Sequence, residues 1–116
     1  MKTRSAKNKG KKLQVEVQNK LREVGKKFGL VDGDINNAIM GERGIDVKLS
    51  PAAEKVIPFD IECKNTETLN ITGAIEQAES NTKLGRIPLV IFRKNRSETY
   101  AIIKFEKLLD LLFPTV

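Results

Sequence analysis

The stretch at 45–64, IDVKLSPAAEKVIPFDIECK, constrains this chain more than any other. Laid out as a strand, residues 56–64 sort with a period of two. Ile57, Phe59, Ile61 and Cys63 fall on one face, and Asp60, Glu62 and Lys64 on the other. The first face reads as core. The second sets two carboxylates and an ammonium in a row, with ~7 Å between alternate side chains. A shorter apolar run at 45–49 carries Asp46, and Ser50-Pro51 breaks the chain between the two runs. If residues 50–55 turn the chain back, Asp46 lies beside Glu62 on the same face. Asp60 shares that face and is expected to support Glu62 or to meet solvent.

Two carboxylates converging on one spot repel unless a cation sits between them. A hard divalent ion suits such a pair, because Mg²⁺ takes oxygen ligands and needs only one or two carboxylates. A lysine two positions along the strand can hold a phosphate, orient water or neutralise developing charge. The chain contains no histidine. That excludes histidine-based zinc sites, Ser-His-Asp and Cys-His nucleophile systems, and histidine general bases. Any catalysis must use carboxylates, lysines, amides or hydroxyls. The single cysteine, Cys63, forms no intrachain disulfide, and its place on the apolar face makes it a small buried hydrophobe.

Charge is distributed unevenly along the 116 residues. Residues 1–27 carry ten lysines and arginines against Glu16 and Glu23, a net +8, while residues 28–116 sum to −2. A basic excess confined to the first quarter attracts a polyanion by releasing its counterions. The plainer alternative is a solvated, solubilising tail. Beside a metal-site candidate the nucleic-acid reading is favoured. Residues 1–10, MKTRSAKNKG, have no apolar periodicity and read as a basic flexible arm, followed by one folded domain at 11–116.

A first helix is expected over 11–28, where Leu13, Val17, Leu21, Val24 and Phe28 form a stripe at helical spacing, with Gly29 just past its end. Glu16 flanks the stripe by about 100°. It either points along the core boundary toward a strand or pairs with Lys12 or Lys20 at the surface. Residues 35–40 could form a short strand. Gly41-Glu42-Arg43-Gly44 is a loop in which Arg43 either touches phosphate or is solvated. A second helix is expected over 72–84, with Ile71, Ile75 and Ala78 inward and Gln77 off that face. Residues 88–92 form a buried strand. After the basic turn at 93–97, residues 99–103 pair back. Phe105, Leu108, Leu109 and Leu112 form the stripe of a last helix, with Pro114 beyond it. Leu111 and Phe113 fall outside that stripe, either as surface apolar residues or as part of a subunit interface.

An aspartate, a hairpin-sized gap, then Glu62-Cys63-Lys64 ending a hydrophobic strand resembles the PD-(D/E)xK nuclease superfamily. The nearest likeness within it is to archaeal-type Holliday junction resolvases and small phage nucleases. The parts follow the family order: Lys9-Gly10 and Glu16, the 41–46 loop and strand, Glu62-Cys63-Lys64, a helix with Gln77, and the strand at 88–92. Ile45 stands where the superfamily name carries proline, a residue often missing among its members. The resemblance implies a restriction-endonuclease-like α/β domain with a central mixed β-sheet flanked by helices. It implies Asp46, Glu62, Lys64, Glu16 and Gln77 as catalytic residues, with Mg²⁺ (or Mn²⁺) on Asp46, Glu62 and the Cys63 carbonyl.

The expected function is therefore metal-dependent, structure-selective hydrolysis of DNA phosphodiester bonds, as in junction resolution during recombination and repair. The basic residues Arg4, Ser5, Lys7, Lys9, Lys11, Lys12 and Arg43 are expected to hold the DNA backbone without reading sequence. Branched DNA is the expected partner and a homodimer the expected assembly, with no membrane and no nucleotide cofactor. No apolar run is long enough for a membrane span, so a cytoplasmic protein is expected. Two alternatives remain at this point: a flap or single-strand nuclease of the same fold, and a non-catalytic DNA-binding module.

Overall fold

The computed structural model describes residues 2–38 and 44–115, with 2–9 as backbone alone. Arg43 lies outside the described residues, as do the side chains of Arg4, Ser5, Lys7 and Lys9. The order of elements is α1 (Lys2–Lys26), a 3₁₀ turn (Asp32–Asp34), β1 (Ile35–Asn37), β2 (Val47–Leu49), α2 (Pro51–Val56), β3 (Phe59–Asn65), α3 (Ile71–Asn81), β4 (Ile87–Arg93), β5 (Thr99–Ile102) and α4 (Phe105–Leu112). Among the described residues, no helix is long and apolar enough to cross a membrane.

Helix α1 begins at Lys2, whereas the apolar stripe placed its start at residue 11. Lysine, arginine and alanine make up most of residues 2–10 and are good helix formers, and no proline interrupts them. Once the stripe nucleates the helix, each further residue adds a hydrogen bond at little cost. Leu13 and Val17 are buried, but Val24 and Phe28 at the other end of the stripe are exposed. The helix stops at Lys26, and Gly29 takes the left-handed conformation with φ of 81°. A side chain is strained there, which explains why glycine marks the exit.

Strands β3, β4 and β5 form a mixed sheet in that order. β3 runs parallel to β4, with Glu62 opposite Val90, and β4 runs antiparallel to β5. The parallel pair needs a crossover, and α3 supplies it. β1 and β2 form a separate antiparallel pair. The domain is thus an α/β structure with a mixed sheet flanked by helices.

Residues 50–55, expected as a turn, form most of a short helix instead. Ser50 accepts a hydrogen bond from the Ala53 N–H at 3.1 Å, and Pro51 occupies the first turn. Serine as N-cap followed by proline is a helix-start signal. Asp34 secures this junction through its carboxylate, which accepts from the Ser50 hydroxyl at 2.6 Å and the Val31 N–H at 2.8 Å.

The larger part of the core lies between α1 and one face of β3, where Leu13, Val17, Ile35, Val47, Ile61 and Leu89 pack together. A smaller core of Ala74, Ala78 and Val90 lies under α3. β3 is therefore covered on both faces. Its second face, expected to be polar and open, is buried: Asp60 is 1% exposed and Glu62 3%.

Asp60 is shut off from solvent. It accepts hydrogen bonds from Arg86 Nε at 2.6 Å and from the Lys83 N–H at 2.9 Å. Arg86 also donates to the carbonyls of Ile57 and Phe59. The guanidinium fork ties the end of α2, the start of β3 and the turn before β4 into one corner.

The last helix departs furthest from expectation. Its stripe residues Phe105, Leu108, Leu109 and Leu112 are all exposed, as are Leu111 and Phe113. The sheet ends at β5, and α4 has no buried residue.

Candidate active site

Backbone pairing brings Asp46 to β3. The Asp46 carbonyl accepts from the Ala38 N–H at 2.8 Å, and its N–H donates to the Ile61 carbonyl at 2.9 Å. The residue is held between the end of β1 and the open edge of β3. Its carboxylate then caps the next free donor on that edge: Oδ2 accepts from the Cys63 N–H at 2.7 Å. A strand residue sends its N–H and C=O to the same edge. The Cys63 carbonyl thus faces the side on which Asp46 lies.

Glu62 projects from the opposite face of β3 to Cys63, toward α3. Its Oε1 accepts from Asn81 Nδ2 at 2.8 Å. The Asp46 and Glu62 carboxyl groups lie close enough to interact. Burial raises the pKa of both acids above the ordinary carboxylate value. For Asp46 the Cys63 N–H and then the Lys64 charge act in the opposite direction. For Glu62 the Asn81 amide opposes the rise, while the Asp46 charge adds to it. Buried, mutually close acids are destabilised as anions, and a cation relieves that cost.

Lys64 Nζ donates to Gln77 Oε1 at 2.6 Å. Gln77 therefore reaches the site residues from α3, by way of Lys64. Asn81 lies one helical turn further on the same face of α3. That i, i+4 spacing was the available signal for Asn81, which the sequence reading passed over.

Glu16 faces the neighbouring strands from α1. One carboxylate oxygen is held by Arg93 Nη1 and the other accepts from the Thr99 hydroxyl at 2.8 Å. Lys20 stands 3.7 Å from the second oxygen, in one of the pairings that helical spacing allows. Glu16 is close enough to Cys63 for its charge to raise the thiol pKa, though less than burial, Asp46 and Glu62 do. Arg93 and Thr99, at the paired ends of β4 and β5, had not been singled out in the sequence. Lys11 and Lys12 are exposed on α1.

The donors around Asp46 are hard oxygens, and burial keeps the Cys63 thiol protonated. Two carboxylates and a strand carbonyl match a small hard cation such as Mg²⁺, which completes its shell with water. Among the described residues, no group of three or more His, Cys, Asp or Glu side chains is arranged to hold a metal ion. The fit thus rests on two carboxylates and main chain.

Comparisons with protein-family models, with curated proteins and with solved structures gave no match.

Proposed function

We propose that the chain is a metal-dependent DNA endonuclease of the PD-(D/E)xK type, selective for branched DNA in the manner of a Holliday junction resolvase. The observation that supports this reading most is the approach of half-buried Asp46 to buried Glu62, with Lys64 beside them. A domain gains no stability from setting two acids side by side with one of them buried, so the pair fits a binding role. Mg²⁺ or Mn²⁺ held by Asp46, Glu62 and the Cys63 carbonyl would supply a Lewis acid and lower the pKa of a water molecule.

The chain's own residues do the rest. Asp46 and Glu62 accept protons or hydrogen bonds from water on the β3 edge. Lys64, oriented by Gln77, positions the attacking water or stabilises the charge that develops on the phosphate oxygens. Asn81 keeps the Glu62 carboxyl turned toward Asp46. Glu16 adds negative charge near the site while Arg93 holds it in place. The lysines and arginines of α1 grip the DNA backbone without reading bases.

The test is a gel assay with four-way junction, flap, duplex and single-stranded DNA, with and without Mg²⁺, and with Glu62→Ala as control. Metal-dependent nicking of the junction, lost in the variant, supports the proposal. Cleavage of flaps or single strands alone favours the flap nuclease. Binding without cleavage favours a non-catalytic DNA-binding module.

A further inference from the structure

Beyond the carboxylate pair, β3 runs into a recess. A cavity of about 250 Å³ opens between the end of β3, the loop at 66–70 and the first turns of α3. Lys64 and Gln77, Thr66 and Thr68, and the apolar Leu69 and Ala74 all line it. The donor and acceptor of the Lys64–Gln77 hydrogen bond thus border both the site and the recess.

We propose that this cavity receives one unpaired nucleotide of the DNA strand, next to the phosphodiester bond presented at Lys64. The proposal rests on the endonuclease reading, and it says which feature of the substrate is recognised.

The size sets an upper bound on what enters. The volume falls just below the ~300–1,000 Å³ of pockets that enclose drug-sized ligands. One base with its sugar suits it, and a length of duplex does not. The lining includes a cation and no carboxylate, which suits a segment of polyanion. The threonine hydroxyls and the Asn70 and Gln77 amides provide donors and acceptors for a sugar or a base edge. Leu69 and Ala74 provide the apolar surface on which a base face rests.

The first turn of α3 is shaped to keep this space. Asn70 Oδ1 caps the Gly73 N–H at 3.0 Å, and a Cβ on residue 73 would stand 2.8 Å from Asn70 Nδ2. Glycine there lets the cap stay folded against the helix at the edge of the recess.

A paired base must leave its stack to enter such a recess, and an unpaired base pays least. Selectivity for branch points, flaps or single strands then follows without any base-reading motif.

The test is a titration of ¹⁵N-labelled full-length protein, free of metal, followed by backbone amide shifts. Three probes are used: dTMP, single-stranded tetrathymidylate, and a blunt self-complementary duplex. The expected result is saturable shifts at Thr66, Thr68, Gly73 and Gln77 with dTMP. The tetranucleotide should bind at least tenfold more tightly, and the duplex should leave these amides unmoved. Thr68→Trp, at an exposed position, should fill the recess and weaken the tetranucleotide at least tenfold while the remaining spectrum is retained. Unmoved amides with the tetranucleotide, equal binding by the variant, or a response to dTMP that the tetranucleotide lacks would each overturn the proposal. The nicking assay is read separately. Nicking without these shifts removes the pocket and keeps the nuclease, while shifts without nicking keep the pocket and remove the nuclease.

Discussion

Asn81, in the last turn of α3, donates a hydrogen bond to Glu62 in the middle of β3 across 2.8 Å. This contact closes one side of a chain of polar groups. Asn81 holds Glu62, Glu62 lies against Asp46, and Asp46 accepts from the Cys63 N–H. Each link comes from a different element, so α3, β3 and the segment before β2 must all be in place for the site to exist. Replacing Asn81 with Ala should loosen Glu62 and weaken Mg²⁺ binding without abolishing it. Isothermal titration would show a smaller loss than in Asp46→Ala or Glu62→Ala, each of which should remove binding. Unchanged binding in both carboxylate variants would exclude them as ligands.

The same pair sets a pH dependence. Both acids have folded pKa values raised above their unfolded ones, chiefly by burial. The stability this contributes is fully present below the ordinary carboxylate pKa and is lost as pH rises through the raised folded values. At neutral pH the metal-free protein therefore carries a strained pair. Glu62→Gln, which keeps an acceptor for Asn81, should be more stable than the wild type at pH 7. The difference should vanish near pH 4. Mg²⁺ should raise the melting temperature of the wild type and leave the variant unmoved. Thermal melts across pH, with and without metal, check both signs.

Lys64 is expected to act in chemistry more than in affinity. Lys64→Ala should cut the cleavage rate on the order of a hundredfold or more, as for loss of an acid–base or electrostatic group. Binding of junction DNA should change little. Gln77→Ala should give a smaller loss of rate, since it removes the partner that orients the ammonium. Near-normal cleavage by Lys64→Ala would make the lysine a bystander.

Much of the site was legible because it depends on short periodicities. A period of two put Glu62 and Lys64 on one face of β3, and the break at Ser50-Pro51 allowed Asp46 to return beside them. What escaped was the environment of each face. Period two distinguishes two faces but does not say that a second helix will cover the polar one. Asp60 therefore looked like a neighbour of Glu62, when it is the buried anchor of Arg86. Arg93 and Thr99 meet Glu16 across 77 and 83 positions of chain, beyond any local pattern. The α4 stripe was clear as a helix, but amphipathicity does not reveal whether the apolar face is covered by the same chain.

The Asp60–Arg86 corner offers a stability test separate from activity. Arg86→Ala would leave the Asp60 carboxylate buried with only the Lys83 N–H as a partner. Breaking a buried pair by removing one member costs about 3–5 kcal/mol. Urea denaturation should show a loss of that order. Asp60→Asn, which keeps acceptor capacity for Arg86, should cost less. A loss under 1 kcal/mol in Arg86→Ala would mean that water reaches the corner.

The basic half of α1 predicts a salt dependence. Deleting residues 1–9 removes Lys2, Arg4, Lys7 and Lys9. If these neutralise phosphates, DNA affinity should fall, and the slope of log K against log salt should become shallower by up to ~0.9 per lost contact. Fluorescence anisotropy at several salt concentrations measures both. An unchanged slope would reduce this segment to a solubilising one.

Resolving a four-way junction requires two nicks on symmetry-related strands, and this chain carries one Asp46–Glu62–Lys64 set. A twofold dimer supplies the second set from the same sequence. Helix α4 is where such a contact is expected. It is only eight residues long and has no buried residue, while Phe105 is 70% and Phe113 71% exposed. A helix that short is marginal in water unless its apolar face is packed. A contiguous apolar surface of this kind marks an interaction site more often than a free surface. Sedimentation at micromolar protein should give twice the 13.0 kDa of the single chain. Leu109→Lys and Leu112→Lys should each shift the protein to monomer, with the fold retained by circular dichroism. Nicking of a junction on both strands should then become nicking on one. A wild-type monomer that still cuts branched DNA would move the assignment from junction resolution to single-nick cleavage of flaps or strands.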